Sequence, residues 1–505
     1  MLHVKKLRLT IRDTDRVLLR DVSFALQKEN KTAIIGEEGN GKSTLLRVLH
    51  DAEAAGAFVK IEGTIHKGGL TTGYLPQQIP DAMLNRTTES LLLSNPADFD
   101  YAYYYRLLEE MDLPEDRIGP ILLRVLSGGE KIKVLLLSEL LKEPSVLLLD
   151  EPTNDLDIDS IAWLEQFLLQ LDLPLLFVSH DEMLLETVAN SVMHIEQTMR
   201  RKEPRFTFSG LSYKEYAADR LHRMEKQTQI ADKEEEILEQ KLARYRKIRD
   251  RVDHEQRVVS RKNPGGGRLL KKKMHTVQAM GRRFEKEKES LTPRPDYEDS
   301  ILIRFGEPVQ VPAGKQLLDL TVAPLMAGGR ILSSFVHLNI RGPEKIGIIG
   351  KNGCGKTTLL RAVVKELESG SLPFGYMPQD YTDRMDGEQT AVDFLLHASP
   401  AADLTRVRTW LGSLKFSAEE MLAPIRFLSG GQRAKLYFAE MALNQAEILV
   451  LDEPTRNLSP LSGPEVREAL AGYTGCIIAV SHDRKFLSSV CETLYQLDAK
   501  GLVRI

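Results

Sequence analysis

Two hydrophobic rhythms alternate along this chain. Short uninterrupted apolar runs, KTAIIG (31–36), SVLLLD (145–150) and PLLFVS (174–179), are separated by stretches in which apolar residues return every three or four positions. An apolar run of this length, bounded by turn residues, reads as a strand buried on both faces. Strands that alternate with helical stretches imply a parallel sheet covered by helices. The corresponding runs of the second half read alike. The expected fold class is therefore α/β, with ligands gathered at the carboxyl ends of the strands.

The middle of the chain follows neither rhythm. From about 212 to 258 it lacks proline and glycine and is rich in Glu, Lys, Arg, Leu and Ala, with charges recurring at i and i+4. That is the pattern of a long helix, which would reach roughly 70 Å at 1.5 Å per residue. A second helix is expected from about 269 to 290, before LTPRPDYED. Between them lies SRKNPGGGRLLKKKM (260–274), in which Pro264 and Gly265–Gly267 are expected to break the helix. The segment thus reads as a helical hairpin with its tip at about 259–270.

The flanks are two copies of one domain. GYLPQQ at Gly73 returns as GYMPQD at Gly375, LSGGEK at Leu126 as LSGGQR at Leu428, LLLDEPT at Leu147 as LVLDEPT at Leu449, and VSHD at Val178 as VSHD at Val480, each 302 residues later. GEEGNGKST at Gly36 and GKNGCGKTT at Gly350 are 314 residues apart, so the first copy holds 12 extra residues after this loop. Internal self-similarity of this kind marks a duplication. The boundaries are placed at 1–208 and 297–505, with the hairpin linker at 209–296.

Charge sharpens the picture of the linker. The chain carries −4 overall, yet Lys241 to Arg283 holds fifteen lysines and arginines against Asp250, Asp253 and Glu255, a balance of +12 that leaves −16 for the remainder. Segregated charge points to an anionic partner, and exposed cations on a hairpin suit the phosphates of folded RNA. A plain spacer would not need this charge, while a protein-docking hairpin stays open. No apolar run is long enough to span a bilayer, and the N-terminal MLHVKKLRLTIRD lacks the apolar core of a secretory signal. Three scattered cysteines, Cys354, Cys476 and Cys491, form neither a disulfide framework nor a metal pattern. A cytoplasmic protein is expected.

The repeated motifs carry phosphate chemistry. Gly36, Gly39, Gly41, Lys42, Ser43 and Thr44, and again Gly350, Gly353, Gly355, Lys356, Thr357 and Thr358, follow an apolar strand and open a leucine-rich helix. Such a loop wraps backbone N–H groups around a phosphate at a helix N-terminus, the lysine reaches the terminal phosphates, and Ser43 or Thr357 ligates Mg²⁺. Asp150 and Asp452 end apolar runs, where a carboxylate can hold Mg²⁺ through water. Glu151 and Glu453 follow, suited to orienting or polarising an attacking water. His180 and His482 lie 29 residues beyond these glutamates in both copies, which makes them candidates for gripping the γ-phosphate.

In this order, with Gln77 and Gln379 between the loops and LSGG, the motifs resemble the nucleotide-binding domains of the ATP-binding cassette superfamily. The resemblance implies two P-loop cassettes meeting head to tail, with ATP and Mg²⁺ as cofactors. Ser127, Gly128 and Gly129 would complete the site built on Lys356, and Ser429, Gly430 and Gly431 that built on Lys42. It also implies that Gln77 and Gln379 join the metal site, and that ATP closes the cassettes while hydrolysis releases them. Two departures stand out. The family's adenine-stacking aromatic is missing from IRDTDRVLL and LMAGGRILS, where Arg16 and Arg330 hold equivalent places and could stack by their guanidinium planes. EPTNDLDID becomes EPTRNLSPL, placing Arg456 opposite Asn154 and Ser459 opposite Asp157, so the two ATP sites are expected to be unequal.

Tandem cassettes joined by a charged helical linker of roughly 85 residues resemble the ABC-F family of ribosome-associated ATPases. LDEPTRNLSPLS and RLLKKKMHTVQAMGRRFEKE are similar to its antibiotic-resistance, ribosome-protection branch in Gram-positive bacteria. The spans from Gln77 to Ser127 and from Gln379 to Ser429 are both 50 residues, so the arm that housekeeping members often carry is not evident. The resemblance implies a monomer with intramolecular cassette pairing that enters the tRNA exit site of the ribosome. It would contact 23S rRNA, P-site tRNA and exit-site proteins, and counter pleuromutilins, lincosamides and streptogramin A. Arg261, Lys262, Arg268, Lys271, Lys272 and Lys273 would be the RNA-binding residues of the tip. A housekeeping translation factor and the double-cassette ATPase of a sugar importer are the alternatives. Iron–sulfur recycling proteins are excluded, because three scattered cysteines cannot hold two clusters.

Overall fold

The computed structural model describes residues 2–92, 100–197, 203–258, 264–293, 310–414, 416–456 and 458–505, with the side chains of 258 and 264–267 left aside. The chain divides into two compact units, one formed by Met1–Tyr213 with Glu298–Ile505 and the other by Lys214–Tyr297.

The first unit holds both repeats. In the first, the six-stranded sheet runs Thr72–Leu75, Val146–Asp150, Leu175–Val178, Lys31–Ile35, Ser191–Gln197 and Glu203–Ser209, parallel except for the last strand. The second repeats this order with Phe374–Met377, Ile448–Asp452, Cys476–Val480, Lys345–Ile349, Thr493–Leu497 and Leu502–Arg504. The register repeats as well: Ile34 lies opposite Val178, and Ile348 opposite Val480. The central strands are buried along their whole length, which is why they appear in the sequence as unbroken apolar runs. Covered on both faces, they leave only their carboxyl ends to meet a ligand.

The 12 extra residues of the first copy have a structural meaning that their sequence did not disclose. Its loop helix Lys42–His50 is followed by the strand Val59–His66, which joins Leu2–Ile11 and Val17–Leu26 in a three-stranded antiparallel sheet. In the second copy the longer helix Lys356–Ser369 passes directly to Phe374–Met377, and the antiparallel layer consists of Gln316–Val322 with Val336–Arg341 and the small hairpin Leu325–Ala327 with Arg330–Ser333.

The second unit consists of two helices, Tyr213–Val258 and Pro264–Glu289. The first matches its expected span. The second begins earlier than 269, because Pro264 and the three glycines form its first turn and do not interrupt it. Proline is tolerated there, since its missing N–H has no partner in the first turn of any helix. Ala231, Leu238, Val252, Leu270 and Val277 are buried. Tyr245 meets Phe284 edge to face at 5.8 Å. A Cβ on Gly281 would stand 2.7 Å from the Tyr245 hydroxyl, so this small residue lets the ring lie across the partner helix. Lys241 pairs with Glu287, and the Thr292 N–H donates to Glu234 Oε2 at 2.7 Å. These contacts fix the two helices as antiparallel neighbours.

Candidate functional site

Each phosphate-type loop is built on backbone that only glycine adopts readily. Gly41 and Gly355 cap their helices at φ 94° and 103°, in the left-handed region. The Lys42 ammonium donates to the carbonyls of Gly36 (2.6 Å) and Glu37 (2.9 Å), and Lys356 to those of Gly350 (2.8 Å) and Lys351 (3.2 Å). Both lysines are thus folded into the mouth of their loop, next to the helix N-terminus where an anion is favoured. Thr44 and Thr358 follow in the first helical turn, and Gly39 and Gly353 complete each loop at φ 80° and 77°.

The carboxylates stand beside these loops. Asp150 and Asp452 close their strands and are almost fully buried. Ser43 Oγ donates to Asp150 Oδ1 at 2.8 Å. Asp452 has both oxygens buried outside hydrogen-bond geometry, with the Thr357 hydroxyl facing them. A buried carboxylate left unsatisfied beside a hydroxyl is the chemistry that a hydrated Mg²⁺ completes, so these residues fit the ion. Glu151 and Glu453 follow at φ 50° and 53°. Left-handed backbone at a non-glycine residue stores strain and is characteristic of functional positions. The backbone N–H groups of His180 and His482 donate to Glu151 and Glu453 at 3.1 and 3.2 Å.

The LSGG serines cap the helices Gly128–Leu140 and Gly430–Leu443. Ser127 and Ser429 each form a capping box, with Glu130 and Gln432 respectively. In the first copy the glycines behind Ser127 are needed for space: a Cβ on Gly128 would lie 2.3 Å from the Asp155 carbonyl, and one on Gly129 2.4 Å from Ser160 Oγ. A cavity of about 600 Å³ brings Gly128 of the first copy together with Lys356, Thr357, Gln379, Asp452, Glu453 and His482 of the second. Parts of both repeats therefore line one site. On the other side the Gly430 N–H donates to Glu38 Oε2 at 2.5 Å, joining the second LSGG to the first loop. Gln77 lines a smaller cavity with His180 and Glu38.

Two residues here were not singled out from sequence. Glu38 is one. Another is Asp155, which accepts from Arg456 Nη2 at 3.0 Å through its side chain and from Asn352 Nδ2 at 2.5 Å through its carbonyl. The offsets carried the signal, since Glu38 stands where the second copy has Asn352. Arg16 donates to the Gly39 carbonyl at 3.3 Å, whereas Arg330 is exposed in its small hairpin. Of the tip residues, Arg268, Lys271, Lys272 and Lys273 are exposed; they have no acidic partner among the described residues. Arg261 and Lys262 lie outside the described residues.

The family model described as ABC transporter matches residues 19–154 and 334–456, together just over half of the chain. The chain belongs to this family. It is an ATP hydrolase that works with ATP and Mg²⁺. Its relatives are ABC-F proteins. "ABC transporter F family member 2" of Arabidopsis thaliana is 26% identical over 96% of this chain and 75% of the relative. "Ribosome protection protein VmlR" of Bacillus subtilis is 28% identical over 97% and 85%. In fold, the chain resembles an archaeal ribosome recycling factor, aABCE1, solved with the ribosomal stalk protein aP1, at TM-score 0.58 and 18% identity over 99% of this chain and 89% of that one. No helix among the described residues is long and apolar enough to cross a membrane.

The two sites differ in protonation. Burial pushes Glu151 upward, but the adjacent His180, with Lys42 behind it, outweighs burial and holds the carboxyl below its usual range. Burial instead carries Glu453 up to about 7, with too little opposing it. His482 is depressed to about 4 by burial and by the Lys356 charge. The same motif thus presents an ionised carboxylate in one copy and one near half-ionisation at neutral pH in the other.

Proposed function

We propose that this protein is a cytoplasmic ribosome-binding ATPase that protects the ribosome from drugs acting at its peptidyl-transferase centre. The domains are 1–208, 209–296 and 297–505. The two outer domains pair when ATP binds, and the basic hairpin enters the tRNA exit site toward 23S rRNA and P-site tRNA. Lys42 and Lys356 bind terminal phosphates. Ser43, Thr357, Asp150 and Asp452, with Gln77 and Gln379, hold Mg²⁺, which neutralises charge on the transferred phosphoryl group. Glu151 and Glu453 orient the attacking water, His180 and His482 grip the γ-phosphate, and the two LSGG segments close on nucleotide held by the opposite copy.

The observation that carries this reading is the hairpin. Ala231, Leu238, Val252, Leu270 and Val277 are buried along it, while Arg268 and Lys271–Lys273 stand exposed near one end with no acidic partner among the described residues. Exposed, unneutralised cations on a two-helix hairpin suit phosphate-rich RNA recognised by shape. The Bacillus subtilis relative, named a ribosome protection protein, supports the same reading.

Sedimentation with 70S ribosomes tests it. A Glu151→Gln/Glu453→Gln chain, able to bind but not to hydrolyse ATP, should co-sediment with ribosomes in ATP and separate without it. Recovery at the top of the gradient in both conditions would overturn the reading. Drug protection is then read as restored translation in the presence of a pleuromutilin, a lincosamide or streptogramin A.

A further inference from the structure

The motifs that build the two composite sites are nearly the same in both copies. The shared motifs themselves therefore do little to tell a like cassette from an unlike one. A stronger basis for discrimination lies elsewhere in the interface.

The 302-residue offset carries position 165 onto 467 and position 182 onto 484. Arg467 donates to both oxygens of Glu182, at 2.7 and 3.0 Å, and Arg484 pairs with Glu165. These are one contact seen twice, since exchanging the copies turns either pair into the other. Both positions are acidic in the first copy and basic in the second. Lys485 adds a further cation, donating to Glu182 at 3.2 Å and Glu186 at 2.6 Å, where the first copy has Met183. The space is shaped for this pairing. A Cβ on Gly463 would fall 2.0 Å from Glu182 Oε1, and the first copy has Ile161 at the equivalent place.

We propose that this face is a charge-coded pairing surface, which accepts a face of opposite sign and rejects a copy of itself. Its partner is the other cassette of the same chain. A meeting of two first cassettes would bring Glu165 against Glu182 twice, and a meeting of two second cassettes would bring Arg467 against Arg484 twice. Glu165, Glu182 and Arg467 are only 5–8% exposed, so water would screen little of that repulsion. Buried like charges are a costly mismatch and so an effective means of excluding a wrong partner. The surface thereby directs pairing within one chain and away from association between chains.

The test uses the full chain in a Lys485→Met background, so that only the four exchanged positions carry the code. Glu165→Arg/Glu182→Arg makes both faces basic, Arg467→Glu/Arg484→Glu makes both acidic, and a fourth chain carries all four changes. Each like-charged chain should lose ATPase activity at least about tenfold, and the four-change chain should recover to within about twofold of its background. Mixing the all-basic and all-acidic chains should restore activity in a species of twice the chain mass by light scattering. A four-change chain as inactive as either pair would overturn the proposal. So would full activity in either like-charged chain, or a mixture that stays inactive at single-chain mass.

Discussion

The site built on Lys42 and the site built on Lys356 share their motifs and differ in what touches their histidines. His180 Nδ1 lies 2.6 Å from the Leu458 carbonyl of the opposite copy, and its Nε2 lies 3.1 Å from Glu151 Oε1. A carbonyl only accepts, so Nδ1 carries the proton there. His482 Nδ1 is buried without a partner among the described residues, and its Nε2 stands 3.6 Å from Glu453 Oε1. One histidine thus links its own glutamate to the other cassette, while the other only approaches its glutamate. The shared DEPT and SHD motifs thus sit in two electrostatic states: His180 and Lys42 act on Glu151, while burial prevails at Glu453. Asp155 is likewise held by Arg456 and Asn352 in a contact that Asn154, at the place equivalent to Arg456, cannot mirror in charge.

Removing both glutamates should abolish the comparison altogether. Glu151→Gln/Glu453→Gln is expected to lower steady-state ATP hydrolysis by about 10²-fold or more, the usual scale for losing a positioned base. Phosphate release with ATP in excess checks this. The single variants should then separate the sites by pH. In Glu151→Gln the remaining base is Glu453, which is protonated below its value of about 7, so activity should rise as pH passes from 6 to 8. In Glu453→Gln the remaining base is Glu151, held below its usual range, and the profile should stay flat over that interval. Two parallel profiles would remove the asymmetry.

Smaller changes sharpen the contrast. Glu38 places a carboxylate on the Gly430 N–H, at the helix N-terminus that an ATP phosphate would approach. Glu38→Asn, which installs the second copy's residue, should tighten ATP binding at the first site several-fold, about 1 kcal/mol, by removing a like charge; a fluorescent ATP analogue titration reads it. Gly463→Ala would crowd the Glu182–Arg467 pair. It should cost about 1–3 kcal/mol, typical of overpacking, and lower the melting temperature by a few degrees without changing the pH profiles.

What the sequence made legible was local or repeated. The parallel strands were readable because both their faces are buried, and the loops, carboxylates and histidines because their spacing recurs at fixed offsets. Three features were hidden for physical reasons. Val59–His66 alternates burial weakly along its length, so its pattern carries little strand signal. Pro264 reads as a breaker until the chain places it in the first turn of a helix, where a breaker does no harm. The Glu165–Arg484 and Glu182–Arg467 pairs join residues about 300 positions apart, and no single-copy pattern can announce a partner that far away. Their charges become a code only when the copies are aligned and the contacts are known.

On the proposed function, exposed positive charge on the hairpin carries ATP-gated ribosome binding. Co-sedimentation of the Glu151→Gln/Glu453→Gln chain with 70S ribosomes in ATP, with and without Arg268 and Lys271–Lys273 changed to Glu, tests it most directly. The charge-reversed chain should leave the ribosome pellet at a salt concentration where the parent stays bound, while both bind ATP equally. Equal retention of the two chains across the salt series would contradict it.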